Sequence, residues 1–495
     1  MRRLDKHTLG GVLIVALAAF FSLHGLDREI LWQDESETAL VAKTVLARGL
    51  PFGTDGKNVF SQNRGADYTK DFLWRWHPWL QFYLCAGSFA VFGVGTFSAR
   101  LPFALLGVAT VALLMLFVRR RWEDPRRALW AGAALTFSVP FLLLAREARY
   151  YSAAAFFTLL GLYAYDRLTE KNKSGFLLLF CASFFLFHSH YVLCGALLAA
   201  LLLHASVFSR DRFPPLLAAC LAVSVVNLPA VWLFWGTDRG VGLFNAGRAL
   251  DFFRYYASET LEHIFPLLLL LFPLLAVVMT GRKPSFSPRD RSSAALLSMV
   301  AGVTFVFLAV LSPANYFRYL AALIPLACAG EGWILRFLQD VWGIVPAAAL
   351  LMGLAVYGGL PPFLYEITHR YKGPMDGIVD YLRKNGRDSD VVAITYEDLP
   401  LKFYTRMRVV GGLTGEDLSP ALKADWIILR KHTVSDKDEQ VKNYLLEKVA
   451  WPDYEKITID FPDIPYENRE TPDEHLFHTM TREDRVVIHR RKRTT

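Results

Sequence analysis

Residues 294–311 read AALLSMVAGVTFVFLAVL, and no formal charge interrupts them. At 1.5 Å rise per residue the run makes a helix of about 27 Å, close to the ~30 Å hydrocarbon core of a bilayer. Residues 265–280, FPLLLLLFPLLAVVMT, repeat the pattern. Charge-free runs of this length mark membrane spans. Working outward, the same kind of stretch recurs at about 9–26, 101–118, 128–145, 150–167, 175–190, 191–208, 214–235, 317–335 and 343–362. The sequence therefore predicts a polytopic α-helical membrane protein with about eleven transmembrane helices.

Composition agrees. Of 495 residues, 53% are hydrophobic and 14% aromatic, more than soluble domains usually carry. The formal charge of +8 does not indicate a nucleic-acid partner, because Lys and Arg sit between apolar runs instead of forming one basic surface. They read as topology signals. Cys85, Cys181, Cys194, Cys220 and Cys328 all fall in apolar segments, with no CxxC pair, so they read as small core residues that say nothing of redox compartment. The N-terminus is basic and precedes the run 9–26, which reads as an uncleaved first span starting in the cytoplasm.

Charge bias decides how the run 79–95 lies. If it spanned, Arg119, Arg120, Arg121, Arg126 and Arg127 would face outward. With that run resting on the outer surface as an amphipathic element, this cluster turns cytoplasmic, as do Arg167, Lys171 and Lys173, then Arg210 and Arg212, then Arg282, Lys283, Arg289 and Arg291. The positive-inside rule prefers the second arrangement. The outer face then receives a loop over 27–100, a loop over 236–263 and a polar region over 363–495. The division expected is a membrane domain over 1–362 and an extracytoplasmic α/β domain over 363–495, with a helix near 375–384 and strands near 391–395, 426–429, 457–459 and 486–488.

Chemistry gathers on that outer side. The first loop opens Leu31-Trp32-Gln33-Asp34-Glu35-Ser36-Glu37-Thr38-Ala39. One reading is a helix start, with Asp34 as N-cap and Glu37 as its capping-box partner. The other is catalysis, since a carboxylate fixed at a helix start can take a proton from an acceptor hydroxyl. Arg146-Glu147-Ala148-Arg149-Tyr150-Tyr151 fills a short outer turn, and Asn315-Tyr316-Phe317-Arg318-Tyr319 another. Snorkelling beside an aromatic belt accounts for arginines at helix ends. An arginine held within the hydrocarbon, however, costs ~2.5–3.5 kcal/mol on insertion scales and implies a partner. Lipid-borne phosphate suits the guanidinium fork. His188-Ser189-His190-Tyr191 lies at a third outer turn, with a spacing that is not that of a structural zinc site, and reads as interfacial hydrogen bonding. Trp76-His77-Pro78 reads as the start of the surface helix.

As an ordered set these residues resemble the GT-C type membrane glycosyltransferases related to the protein O-mannosyltransferases and the lipid A aminoarabinose transferase. The set comprises Leu31-Trp32 with Asp34-Glu35, His77-Pro78, Phe92-Gly93 through Arg100-Leu101-Pro102, Arg149-Tyr150, His190-Tyr191, and Arg318-Tyr319 with Pro325. It extends to about residue 335. The resemblance implies a polyprenyl-phosphate sugar donor, an inverting transfer, and Asp34 as general base with Glu35 beside it. It implies donor-phosphate contacts from Arg149, Tyr150, Arg318, Tyr319, His190 and His77, the last only when protonated. His77 departs from the family pattern, because the aminoarabinose transferase has Glu-Lys-Pro where this chain has Trp76-His77-Pro78. Asp71 is a nearby source of the missing acidity.

Such a reaction needs cations at the phosphate and one base for the nucleophile, and no general acid, because polyprenyl phosphate is a competent leaving group. A divalent cation could share the phosphate charge, but the arginines could suffice, so no cofactor is required. The expected partners are the lipid-linked donor, membrane lipids, and a lipid, glycan or protein acceptor at a bacterial inner membrane. A transporter or flippase of a lipid-linked sugar is the alternative, although the polar residues collect on one face and not at the midplane. A glycan polymerase or ligase is chemically close. A scaffold for the C-terminal domain would leave the Asp34 loop unexplained.

The topology is tested by introducing cysteines at exposed positions in 119–127 and in the C-terminal region. An impermeant thiol reagent added outside should label only the second set; labelling of both would make 79–95 a true span.

Overall fold

In a computed structural model the described residues are 6–168, 173–235, 245–371, 373–431, 436–464 and 484–492. Lys171 and part of the expected loop over 236–263 lie outside them. Along the chain the helices are α1 (Lys6–Leu23), α2 (Gln33–Arg48), α3 (Leu80–Phe92), α4 (Thr96–Trp122), α5 (Pro125–Phe137), α6 (Val139–Arg146), α7 (Tyr151–Tyr165), α8 (Lys173–Phe208), α9 (Phe213–Trp235) and α10 (Ala246–Glu259). They continue with α11 (Leu271–Thr280), α12 (Pro288–Leu311), α13 (Ile324–Trp342), α14 (Ile344–Tyr357), α15 (Leu360–Thr368), α16 (Pro374–Asn385), α17 (Asp398–Tyr404) and α18 (Asp436–Lys448). The strands are β1 (Val391–Ile394), β2 (Arg408–Gly411), β3 (Trp426–Ile428), β4 (Tyr454–Pro462) and β5 (Arg485–Arg491).

Two compact units emerge. Of the described residues, one takes 6–24 and 103–364; the other takes 25–102 and those from Tyr365 onward. The first outer loop, expected to belong with the membrane domain, thus groups with the C-terminal region.

The first unit carries the spans. Six helices of the described chain are long and apolar enough to cross a membrane, or nine when each bent pair counts as one crossing. The sequence led to about eleven. Two points account for the difference: α7 is only 15 residues long, and α8, counted once, is two helices that meet at non-helical backbone at His190 (φ −156°, ψ 95°) and fold back on each other, with Cys194 Sγ 3.3 Å from the Ser183 carbonyl, as the two spans expected at 175–190 and 191–208 would. The expected surface run 79–95 is α3, a 13-residue helix and short for a crossing. Small residues set the closest packing in the unit. A Cβ on Gly332 of α13 would sit 2.8 Å from the backbone nitrogen of Ala131 on α5, an approach that membrane helices use where lipid supplies no hydrophobic drive. Polar ties join the helices too: the Tyr165 hydroxyl lies 2.9 Å from Nδ1 of His204, and Trp130 Nε1 donates to Gln339 at 2.9 Å. Large apolar side chains such as Trp232, Val278 and Val345 face outward, as a lipid solvent requires.

The second unit holds a five-stranded sheet of order β2-β1-β3-β5-β4. β1 pairs in parallel with β2 and β3, while β5 runs antiparallel to β3 and β4. Alternation along the strands divides the core. Val392, Ile394 and Ile428 pack on one face with Ile378, Val379 and Leu382 of α16; Ala393 and Ile427 pack on the other with Val441 and Leu445 of α18. The four strands and the helix expected from sequence are present. β2, α17 and α18 were not anticipated, and the Arg-Val-Val-Gly of β2 is too short to carry a periodic signal. Arg430, just past β3, is 1% exposed and held by Glu397 and by Asp463 at 2.8 Å. Burial lowers its pKa, and the Asp463 carboxylate opposes that shift.

Asp376, in the first turn of α16, accepts from the Gly373 amide at 3.3 Å. Burial raises its pKa to about 6, against the opposing pull of Arg370 and of that amide. A carboxyl with a folded pKa above its unfolded one binds extra protons when folded, so its stabilising contribution is full below about pH 4 and lost as pH rises through 6. Asp376→Asn should therefore raise the melting temperature at about pH 7.5 and leave it unchanged near pH 4, as read by thermal unfolding at the two pH values.

Candidate functional site

In the second unit the carboxylate loop folds into the first turn of α2. The helix begins at Gln33 with Trp32 as N-cap, so Asp34 is not the cap, and the residue reaching back to the cap is Glu35, whose Oε2 accepts from the Trp32 amide at 3.4 Å. This corrects the expected capping pair of Asp34 and Glu37 by two residues. The N-terminal end of a helix favours negative charge, yet Asp34, Glu35 and Glu37 are all buried, which is costly unless each is answered.

The answers differ. Glu35, fully buried, takes both arms of the Arg100 guanidinium, Nε to Oε1 at 2.8 Å and Nη2 to Oε2 at 2.6 Å. Arg100 also donates to the carbonyls of Leu26, Glu29 and Ile30 at 3.0–3.2 Å. Glu35 is thus committed to fixing the loop ahead of α2. Glu37 lies 3.1 Å from Nδ1 of His77. The Gln62 amide nitrogen bridges the remaining pair, donating to Asp34 Oδ1 at 3.0 Å and to Glu37 Oε2 at 2.8 Å. Of the three carboxylates Asp34 is the most exposed, at 8%.

Gln62 is itself positioned. The backbone amides of Gln62 and Asn63 both donate to Asp67 Oδ2 at 3.0 Å, and the Asn63 side chain donates to Oδ1 at 2.8 Å. Burial first, then the Glu37 charge, push the Asp67 carboxyl up, against the lowering effect of Ser61 and Asn63. Beneath α2, Gln33 donates to Asp398 at 3.0 Å and accepts from the Leu399 amide at 3.3 Å, while Lys402 closes on Asp398 at 2.7 Å. That contact needs Gly412 (φ +61°), where a Cβ would lie 2.0 Å from Asp398 Oδ1. The start of α2 also leans on Tyr404, whose hydroxyl accepts from the Leu31 amide at 2.8 Å and sits 2.6 Å from Thr96 Oγ1. Burial pushes that phenol up to about 12, and it stays a neutral hydrogen-bonding group.

A second set forms in the first unit. Tyr150 meets the His190 ring at 5.5 Å, and His190 meets Tyr319 at 5.3 Å, both edge-on. Tyr316 packs on Tyr319 at 5.7 Å, and the Arg318 guanidinium lies 4.1 Å from the Tyr316 ring centre. Arg149, 2% exposed, lies 5.7 Å from the Tyr150 ring. The break in α8 at His190 delivers the imidazole into this box. Five of the six residues expected at the phosphate therefore come together: Arg149, Tyr150, His190, Arg318 and Tyr319. The sixth, His77, belongs to the other unit, where it lies beside Glu37. Sequence reasoning missed Gln62, Asp67 and Tyr316 as site residues. Glu37 appeared only as a capping partner, and Arg100 stood in the resemblance without a role.

Among the described residues no group of three or more His, Cys, Asp or Glu side chains is arranged to hold a metal ion. The two sets offer different chemistry: one a carboxylate network with a single more exposed member, the other two guanidinium groups in an aromatic setting, where ring faces stabilise cations.

Comparison with known proteins bears on both. Residues 76–235 match the family described as dolichyl-phosphate-mannose-protein mannosyltransferase. No curated protein matches by sequence. Among solved structures, ArnT from Cupriavidus metallidurans in the apo state aligns with TM-score 0.60 at 16% identity over 97% of each chain. The same protein bound to undecaprenyl phosphate aligns with TM-score 0.56 at 15% identity, again over 97% of each. A mutant of the arabinofuranosyltransferase AftD from Mycobacteria aligns with TM-score 0.50 at 13% identity, covering 98% of this chain and 41% of that one. About a third of the chain is thus similar to that mannosyltransferase family, and the chain as a whole is similar in fold to the solved GT-C type structure of ArnT.

Proposed function

We propose that the protein is an inverting glycosyltransferase that moves a sugar from a polyprenyl-phosphate carrier to an acceptor hydroxyl on the outer face of a bacterial inner membrane. The observation that carries this reading is the convergence of residues 149–150, 190 and 316–319 into one cationic, aromatic cluster of the membrane unit. Its guanidinium groups suit a phosphate that is already lipid-borne, and the similar ArnT chain has been captured with undecaprenyl phosphate.

In the reaction, the acceptor oxygen attacks the anomeric carbon on the side opposite the phosphate. The bond from that carbon to the phosphate oxygen breaks, and the electron pair stays with the phosphate, where Arg149 and Arg318 balance the charge. Asp34 takes the hydroxyl proton. The Gln62 bridge keeps Asp34 and Glu37 in register while His77 offsets the Glu37 charge. Glu35, placed beside the base by the resemblance, acts in this reading through Arg100, as a positioning residue for α2. The N-terminus lies in the cytoplasm and the sheet-bearing region outside, so the chemistry occurs where the lipid-linked donor is presented.

Three substitutions separate the roles. Asp34→Asn keeps an acceptor for Gln62, so the melting temperature and donor affinity should hold while turnover falls by roughly 10²–10⁴. Near-normal transfer from a synthetic polyprenyl-phosphate sugar would remove Asp34 from the base role. Glu35→Gln should instead destabilise by about 3 kcal/mol, because it leaves a buried guanidinium without its ion-pair partner; thermal unfolding reads this directly.

Arg318→Ala should weaken donor affinity at least about tenfold with little effect on folding, and Arg149→Lys should do the same in smaller measure by keeping charge and losing the fork. Titration of donor against each purified variant gives the answer, and unchanged affinity in both would return these arginines to membrane-boundary anchoring.

A further inference from the structure

The arginines that set the expected topology also build a cavity that the proposed reaction does not use. It lies in the membrane unit at the ends of α4, α7 and α8 and the start of α12, has a volume of about 650 Å³, and is lined by Arg119, Arg120, Arg121, Arg212 and Arg289 against two carboxylates, Asp166 and Glu123. The carboxylates are spoken for. Asp166 takes Arg121 and, at 3.5 Å, Arg212; Glu123 takes Arg289 at 2.7 Å. Arg121 is 9% exposed and further fixed by Ser293 at 2.8 Å and Ser292 at 3.3 Å. Among the described residues, the exposed Arg119 and Arg120 have no carboxylate partner. A rigid cationic floor with two uncompensated guanidinium groups at its rim fits an anionic oxygen cluster.

A second cavity shows what that anion is attached to. An apolar groove of about 370 Å³, lined chiefly by Val12, Val15, Met115, Leu116 and Leu129, runs between α1, α4 and α5. It shares Leu116 and Arg119 with the basic cavity. A charged pocket that passes directly into an apolar groove on membrane-crossing helices matches an amphiphile, head in one and chain in the other. We infer that this composite site binds an anionic, phosphate-bearing membrane lipid, at the face expected to be cytoplasmic and separate from the donor cluster around His190.

The test uses the full-length purified protein and native mass spectrometry with defined lipids. Long-chain phosphatidylglycerol should bind about tenfold or more tightly than phosphatidylcholine of the same chains. The double variant Arg119→Ser/Arg120→Ser, at two exposed positions, should lose that preference without a change in melting temperature. Leu116→Ser should weaken long-chain phosphatidylglycerol but not the soluble dihexanoyl form. Arg318→Ala, which lies in the donor cluster, should keep the preference intact. Retention of the preference by the double arginine variant, or its loss in Arg318→Ala, would overturn the site. Displacement of long-chain phosphatidylglycerol by millimolar inorganic phosphate would overturn the lipid assignment and identify a soluble anion site.

Discussion

The Arg100–Glu35 pair is the interaction on which the carboxylate network depends. A fully buried carboxylate in the first turn of a helix is costly by itself, and so is a buried guanidinium. Here each satisfies the other in two parallel hydrogen bonds, and the rest of the guanidinium gathers the carbonyls of Leu26, Glu29 and Ile30. The chain leaving the first membrane helix is thereby turned and clamped before α2 begins. With that clamp in place, Glu37 meets His77, and the Gln62 amide donates to both Asp34 and Glu37.

The sheet of the second unit supports the same helix from below. Parallel strands place their loops at one edge, where α/β folds commonly bind ligands at the point between strands that lead in opposite directions. In this chain that edge holds protein. Asp398, immediately after β1, grips Gln33, and Lys402 holds Asp398 in turn. Asn58 adds a second seam by pairing with both the carbonyl of Met407 and the amide of Val409. The C-terminal region is therefore bonded to the loop that bears the proposed base, which gives a structural reason for an α/β fold following a set of membrane helices.

The membrane unit solves a different problem. Arginine at a span boundary must keep its charge solvated or paired, and the tyrosines around Arg149 and Arg318 offer ring faces that stabilise a cation without neutralising it. At the other ends of several of the same helices, Arg121 and Arg212 converge on Asp166 instead. The unit carries one cationic cluster in an aromatic frame and another in a frame of carboxylates and hydroxyls, and the frame decides how much charge remains for a ligand.

Much of this was legible in the residues. Charge-free runs determined that the chain crosses a membrane, because no other solvent accepts so many apolar helical faces, and composition separated the polar C-terminal region from them. The ordered motifs carried the fold and named five residues that come together around His190. The turn at His190 was legible, but where other helices bend was not: the span read over 128–145 is α5 and α6, bent by 63°, since such breaks depend on neighbours that periodicity does not see. Nor was the role of each carboxylate. Asp34, Glu35 and Glu37 are adjacent in sequence and alike in chemistry, so local rules could offer only a cap and its partner. Contacts from Arg100, Gln62 and His77, distant in the chain, made one a structural anchor, one a charge partner of histidine, and bridged the third to its neighbour through an amide. Sequence determined that acids stand at that helix start; tertiary structure decided which of them anchors Arg100, which meets His77 and which shares Gln62, because that depends on what the fold brings within about 3 Å of each oxygen.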